Sequence, residues 1–302
     1  LSKKSRGRLV IGTDVFDGKI VEDLQDFVKR VNKGKNFSKR QIFMKFGSFF
    51  DILGKLIPIE NAMKLDLRDV TDAVKGWDEE LPDILHNKWI KNFFRMEKLK
   101  GLKFNRAVMP KNAVSTKLNL ISGGDTSGKI KNVGVWGRFP LDNGHYSCQL
   151  IIGRSLLASS TIPKDELDVL MMTTNLNWVA SQALDDWYES SIVVNDSTIS
   201  LCWTKSEKKR LSLYHRNRVV QIRRGVELKQ IYHVVSAQNP SDCGTRPDLV
   251  VDSDIGPGSR WENGLPWMKG EIEDAVTSGI LTPIEKIIVK SEDENSYNEG
   301  FV

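Results

Sequence analysis

Apolar positions follow two different rhythms along this chain. Through about residue 110 they recur at steps of three and four. Val21, Leu24, Phe27, Val28 and Val31 predict a short amphipathic helix. A second helical run is expected from about Ser38 to Leu56, ended by Pro58, with Phe43, Phe46, Phe49 and Phe50 as core. After Gly76-Trp77-Asp78-Glu79-Glu80-Leu81-Pro82 a third helix runs to about Met96, with Trp89 on its face.

Beyond residue 110 the rhythm shortens. Leu118–Ile121, Val133–Trp136 and Tyr146–Leu157 read as strands, and Asp142-Asn143-Gly144 is a turn signal between the second and third. Three strands joined by short connections predict an antiparallel meander. The pair Gly123-Gly124 after the first run weakens that strand, since glycine adds no side chain to pack. A long helix follows, with Pro163 suited to its first turn. Its expected buried stripe is Val169, Met172, Leu176, Val179, Ala183 and Trp187, and Glu166 lies one turn earlier on the same stripe. A β-branched run then ends at Asn195-Asp196-Ser197, with Ser197 a good N-cap for the helix bearing Ile199, Cys202 and Trp203. Residues 205–229 predict a basic helix, and Ile231–Val235 a last strand leading to Asn239-Pro240-Ser241-Asp242.

The order is three strands, helix, strand, helices, strand, after a helical start. The fold class is therefore α/β: a mixed sheet with flanking helices behind a small helical domain. The expected boundaries are 1–110 for the helical segment, 111–250 for the α/β domain and 251–302 for a terminal block with an acidic, flexible linker over 291–302.

Composition changes this picture little. The chain has 302 residues, 40% of them hydrophobic, and a net charge of +5. That charge is too mild to argue for a polyanion partner, so local clusters must do so. Residues 1–40 hold eleven Lys or Arg against five Asp or Glu, and residues 205–229 nine against two. Within the second cluster Arg216, Arg218, Arg223 and Arg224 fall on the predicted helix, beside Asn195 and Asp196 in sequence order. The arginines suit phosphate contact as well as plain solvation, and Asn195 suits a nucleic-acid contact beside Asp196 as well as a plain turn. Cys148, Cys202 and Cys243 have no paired spacing, which excludes a disulfide framework and a zinc finger and suits a reducing compartment. No apolar run reaches the roughly 18 residues of a membrane span. The chain begins at Leu1 and is expected to be a piece of something longer.

Four carboxylates, Asp125, Glu166, Asp196 and Asp242, fall at or beside element ends. An Asp at a strand end also serves simply to cap a turn. If three or more converge, they require a cation, and oxygen-only ligands suit Mg²⁺ or Mn²⁺. Two such ions are the usual apparatus for in-line attack on a phosphodiester.

At these residues the chain resembles the Bel/Pao family of long-terminal-repeat retrotransposon polyproteins. The resemblance runs through Ser48-Phe49-Phe50-Asp51-Ile52-Leu53-Gly54 with Pro58, Gly76-Trp77-Asp78-Glu79, and Ile162-Pro163-Lys164-Asp165-Glu166-Leu167. It continues in Asn195-Asp196-Ser197 with Leu201 and Trp203, Asn217-Arg218-Val219, His233-Val234, Asn239-Pro240-Ser241-Asp242 with Thr245-Arg246, and Trp261 to Trp267. It implies a ribonuclease H domain over the second segment and a reverse-transcriptase thumb and connection over the first. Asp125, Glu166, Asp196 and Asp242 would be the catalytic and metal-binding set, holding two Mg²⁺ ions that cut the RNA strand of an RNA–DNA hybrid. A polymerase palm would precede the segment in the polyprotein and an integrase would follow. The expected setting is intracellular: cytoplasm, virus-like particle or nucleus.

Two alternatives stand beside this one. A non-catalytic copy would bind hybrid without cutting it. An aspartic peptidase, a label also given to this polyprotein region, would rest on Asp125-Thr126-Ser127-Gly128, where the glycine comes one position later than that chemistry requires.

Overall fold

The computed structural model describes residues 8–10, 28–29, 35–49, 51–99, 102–105, 107–206, 211–247 and 254–288. Most of the basic segment 1–40, all but two residues of the helix expected over Val21–Val31, Phe50, and the linker over 291–302 lie outside them. The chain divides into two compact units, one of residues 1–52 and 56–107, the other of residues 53–55 and 108–302.

In the first unit, α1 (Lys39–Gly47) starts at a capping box. Ser38 Oγ accepts from the Gln41 amide at 3.4 Å, and Gln41 Oε1 accepts from the Ser38 amide at 2.9 Å. The single helix expected over Ser38–Leu56 is not formed. Helix α1 stops at Gly47, and Pro58 opens a new helix, α2 (Ile57–Ala73), instead of ending the old one. Proline suits a first turn because that turn has no use for its missing N–H. Phe49 is buried, whereas Phe43 and Phe46 are half-buried, with Phe43 meeting Trp77 edge-on at 5.4 Å. Helix α3 (Asp83–Lys98) follows and buries Trp89 completely. A two-stranded ribbon, β1 (Arg8–Val10) with β2 (Lys103–Asn105), belongs to this unit.

The second unit is built on a six-stranded sheet. The expected meander is present as β3 (Leu118–Thr126), β4 (Ile130–Pro140) and β5 (Tyr146–Leu157), paired antiparallel. Strand β3 continues through Gly123-Gly124 and Asp125, so the glycines do not weaken it away. A Cβ on Gly124 would stand 2.3 Å from Thr173 Oγ1 and 2.5 Å from Val169 Cγ1. The missing side chain is what lets α4 (Ile162–Ala183) lie directly on the strand. After α4, β6 (Tyr188–Asn195) returns parallel to β3, and β7 (Ile231–Val234) is parallel to β6. Between them come α5 (Thr198–Lys205) and α6 (Leu213–Gly225). The sheet extends past residue 250 into the stretch expected as a terminal block. Strand β8 (Leu281–Pro283) covers the edge of β7, giving the order β5-β4-β3-β6-β7-β8. Covering that edge removes a row of unpaired backbone groups. Three antiparallel strands, a helix and a parallel return beside the first strand make an RNase H-like mixed sheet.

Helix α4 is the central brace. One stripe (Val169, Leu176, Ala180) packs on Leu118, Leu120, Val133 and Val135 of the sheet. A second stripe (Leu167, Leu170) packs on Leu201, Val219 and Ile222 of α5 and α6. The single stripe expected from sequence is thus corrected at its far end: Val179 and Ala183 are exposed, and Trp187 falls beyond the helix. A helix wedged between sheet and helices needs two apolar faces, which spreads the pattern beyond one row. On the opposite face of the sheet Trp136 meets Trp261 edge-on at 5.3 Å, and Trp136 Nε1 donates to the Trp261 carbonyl at 2.8 Å. Residues 53–55 join this face: Trp261 Nε1 donates to the Gly54 carbonyl, and buried Lys55 pairs with buried Glu262 at 2.9 Å. The three cysteines form no disulfide with one another and are buried. No helix among the described residues is long and apolar enough to cross a membrane.

Candidate active site

Strands β3 and β6 run parallel, so their carboxyl ends lie side by side, with Gly124 in register with Asn195. Open α/β sheets bind ligands at such ends. Asp125 stands next to the end of β3, and Asp196 follows the last residue of β6. A cavity of about 240 Å³ opens there, lined by Asp125, Glu166, Asn195, Asp196, Ser197 and Thr245 among others. Three of the four expected carboxylates therefore face one cavity. Asp242 starts the short helix α7 (Asp242–Thr245) close by, and its charge acts on Asp125.

Each carboxylate is placed by a local device. Asn195 Oδ1 accepts from the Ser197 amide at 2.9 Å, closing a tight turn that sets Asp196 at its middle. Ser197 Oγ caps α5 by accepting from the Ser200 amide at 3.2 Å, and donates to Glu166 at 2.6 Å. Asp125 accepts from the Thr245 hydroxyl. The Asn239–Ser241 turn is stapled to the sheet: Asn239 Nδ2 donates to the Gly124 carbonyl at 3.0 Å and Ser241 Oγ to the Gly123 carbonyl at 2.8 Å. Asn132 of β4 donates to the Ser241 carbonyl at 2.9 Å. These bonds bring Asp242 to the sheet end although it is remote in sequence.

The electrostatics follow first from burial of the carboxyls and then from the like charges beside them. Burial pushes the Asp125 carboxyl up to about 6; the Thr245 bond opposes this, and the charges of Asp196 and Asp242 add to it. Glu166 is raised by burial, held back by the Ser197 hydroxyl, and raised further by Asp196. Asp242 is raised by burial; Arg246 and Arg260 oppose the rise, and Asp196 adds to it. Arg246 Nε lies 2.8 Å from Asp242 Oδ1 and also lines the cavity.

The donor set is all oxygen: carboxylates, hydroxyls and a side-chain amide. Carboxylates that raise one another's affinity for protons are ones that a hard divalent cation would relieve, so the chemistry fits Mg²⁺ or Mn²⁺. Asp125, Glu166 and Asp196 could hold such an ion, with Asp242 beside them. Among the described residues no three His, Cys, Asp or Glu side chains are already drawn into a group that could hold a metal ion. The carboxylates stand round the cavity wall.

The four arginines of the basic helix divide. Arg218 of α6 turns inward: it pairs with Asp168, and its guanidinium lies 3.4 Å from the centre of the Tyr214 ring. Arg223 donates to the carbonyls of Thr204 at 2.6 Å and Ser206 at 3.1 Å, closing the end of α5. Arg216 and Arg224 are exposed, with no such contact among the described residues. Asn195, also expected at the nucleic acid, is 2% exposed and spends its carbonyl oxygen on the turn.

A buried charge network was not anticipated. Lys131 of β4 pairs with Asp165 at 2.9 Å and Asp168 at 3.3 Å, and Ser160 Oγ donates to Asp165. It pins the first turn of α4, and Glu166 sits between the two paired aspartates. Acidic residues at 165 and 168, one turn apart on the helix, were the available signal. Their lysine partner is more than thirty residues away in sequence.

Asp125-Thr126-Ser127-Gly128 is the end of β3 and the turn into β4. Thr126 Oγ1 and the Ser127 amide both bond the Ile130 carbonyl, and Gly128 takes φ +75°. The glycine serves the hairpin turn.

The family model of the Pao retrotransposon-like RNaseH-like domain matches residues 38–197. A comparison with curated proteins finds no match. Among solved structures the chain is similar to a foamy viral protease-reverse transcriptase in complex with dsDNA, at 13% identity over 71% of this chain and 41% of that one, with a TM-score of 0.38. The dRH form of that protein in complex with ds DNA gives 10% identity, 70% and 34% coverage, and a TM-score of 0.40. The chain thus spans well under half the length of these proteins.

Proposed function

We propose, from the premise that this chain belongs to the family of Pao retrotransposon-like RNaseH-like domains, that its second unit is a metal-dependent endoribonuclease cutting the RNA strand of RNA–DNA hybrids. The observation that supports this most is the convergence of Asp125, Glu166 and Asp196 on one cavity at the paired ends of β3 and β6. Asp242 completes the proposed set and lies beyond the matched residues.

A bound Mg²⁺ or Mn²⁺ pair would stabilise charge on the attacked phosphate and on the attacking oxygen. The chain's own part is positioning. Ser197 fixes the rotamer of Glu166, Thr245 fixes Asp125, and the Asn195 turn fixes Asp196. Arg246 at the cavity wall and exposed Arg216 and Arg224 would meet phosphates. Selection of RNA would rest on 2′-hydroxyls, which small polar groups such as Thr126 and Ser127 beside Asp125 are suited to read. The reading places the chain in a retroelement polyprotein, between a polymerase palm and an integrase, working inside the cell in the cytoplasm, in virus-like particles or in the nucleus.

One observation favours a second reading, binding without cleavage: the described carboxylates are not gathered into a ready metal group. Incubation with an end-labelled hybrid, with and without Mg²⁺, separates the two. The nuclease reading expects metal-dependent RNA fragments with 5′-phosphate ends and intact duplex DNA of the same sequence. Retention of hybrid without fragments in either metal supports the second. Cleavage of a protein substrate at acid pH without metal would support a peptidase instead.

A further inference from the structure

A second cavity, also of about 240 Å³, lies at the other end of the strands, where β3 and β6 begin. It is lined by Asn119, Arg138, Tyr146, Tyr232, Glu271 and Glu273 among others. Arg138 sits in β4 between Asn119 of β3 and Cys148 of β5. It is 2% exposed, and its Nε and Nη1 have no hydrogen-bond partner among the described residues. The Tyr146 ring lies against it, its centre 3.7 Å from the guanidinium carbon. A ring face offsets part of the cost of burying a cation, but it satisfies no N–H.

The rim has the opposite sign. Glu271 and Glu273 are exposed, and Tyr146 Oη donates to Glu271 at 3.3 Å. Tyr232 is raised by its burial and by the charges of Glu273 and Glu285. The cavity therefore runs from a buried guanidinium with two unpartnered nitrogens at its floor, past two aromatic walls and the side chains of Ile192 and Ile272, to two carboxylates at its mouth.

We propose that this cavity is a binding site for a small aminocarboxylate, with the carboxylate on Arg138 and the cationic end at Glu271 and Glu273. A carboxylate matches the fork of a guanidinium, and it brings one negative charge where phosphate brings nearly two. The rim glutamates repel a dianion and attract an ammonium, which decides between those anions. The apolar walls accept the methylenes between the two ends. The site is separate from the carboxylate cavity and does not depend on the nuclease reading.

Isothermal titration of the full chain with 6-aminohexanoate, hexanoate and inorganic phosphate tests this. The expected order is 6-aminohexanoate with a dissociation constant of about 1 mM, hexanoate at least about fivefold weaker, and phosphate weaker than both. Glu271→Gln with Glu273→Gln alters only exposed side chains, leaves the chain folded, and removes the advantage of 6-aminohexanoate over hexanoate. Arg138→Lys, checked for a native unfolding transition, weakens both carboxylates about tenfold by losing the fork. Phosphate binding more tightly than the carboxylates overturns the proposal. So does an unchanged 6-aminohexanoate preference in the glutamine variant, or no heat from any of the three at 20-fold the expected constant, about 20 mM.

Discussion

The Ser197 hydroxyl stands 2.6 Å from a carboxylate oxygen of Glu166 while accepting the Ser200 amide, so one oxygen caps α5 and holds a cavity carboxylate. Ser197→Ala removes both bonds. Loss of the cap should cost about 1 kcal/mol in denaturant unfolding. The hydroxyl bond lowers the Glu166 pKa, so its loss should move the Glu166 carboxyl further up, seen as a shift of its side-chain resonance titration to higher pH. An unmoved titration would detach the cap from the site.

Gly124→Ala places a methyl 2.3 Å from Thr173 Oγ1 and 2.5 Å from Val169 Cγ1. Both contacts belong to α4, which cannot retreat without leaving its second stripe on α5 and α6. The expected loss is about 3 kcal/mol, the range of an overpacked core, read as a lower urea midpoint. An unchanged midpoint would show that α4 does not bear directly on β3.

The acid–base balance of Asp125 makes stability pH-dependent. Its folded value of about 6 lies above the roughly 3.9 of an unfolded aspartate. Between those values the folded state binds more protons than the unfolded one, so this group's contribution to stability falls as pH rises from about 4 to about 6. The raised Glu166 and Asp242 act in the same direction. Asp125→Asn should flatten the decline by roughly 2 kcal/mol in unfolding free energy measured across that window. An identical slope in the variant would show that Asp125 is not the group responsible.

At pH 7.5 a divalent cation should relieve the same crowding. Millimolar Mg²⁺ or Mn²⁺ is expected to raise the Tm of the chain by a few degrees, equivalent to about 1 kcal/mol of linkage. Asp196→Asn keeps the side-chain shape, should leave the metal-free Tm within a degree or two, and should abolish the metal-induced rise and lower hybrid cleavage by several orders of magnitude, about 4 kcal/mol or more. Near-normal cleavage by this variant removes Asp196 from the site.

The basic helix should separate binding from folding. Arg216→Gln and Arg224→Gln are expected to reduce the log–log salt slope of hybrid affinity by roughly 0.7–0.9 each, with unfolding unchanged. Arg218→Gln leaves half-buried Asp168 with one cation fewer and should lower stability by about 2 kcal/mol. Affinity and salt slope unchanged in Arg216→Gln and Arg224→Gln would return the helix to a solvated face.

The order of strands and helices, the antiparallel meander, the turn at Gly144 and the Ser197 cap were legible because each is written in local spacing. Glycine, proline and N-cap residues act within a few positions of themselves. The same locality brought Asp125, Glu166 and Asp196 forward as element-end carboxylates. It misled where the deciding neighbour was distant. Pro58 starts α2 and does not end α1, a difference that depends on what each helix buries. Gly123 and Gly124 looked like a weak strand because what fills their space comes much later in the chain: Val169 and Thr173 of α4 at Gly124, Val194, Pro240 and Ser241 at Gly123. Arg218 and Arg223 looked like phosphate ligands until Asp168 and the Thr204 carbonyl were brought beside them. Sequence spacing fixes what a residue's own element does. Only the folded chain decides which charges meet, because Lys131 with Asp165, Lys55 with Glu262 and Thr245 with Asp125 are pairs made by sheet pairing and helix docking across long stretches of chain.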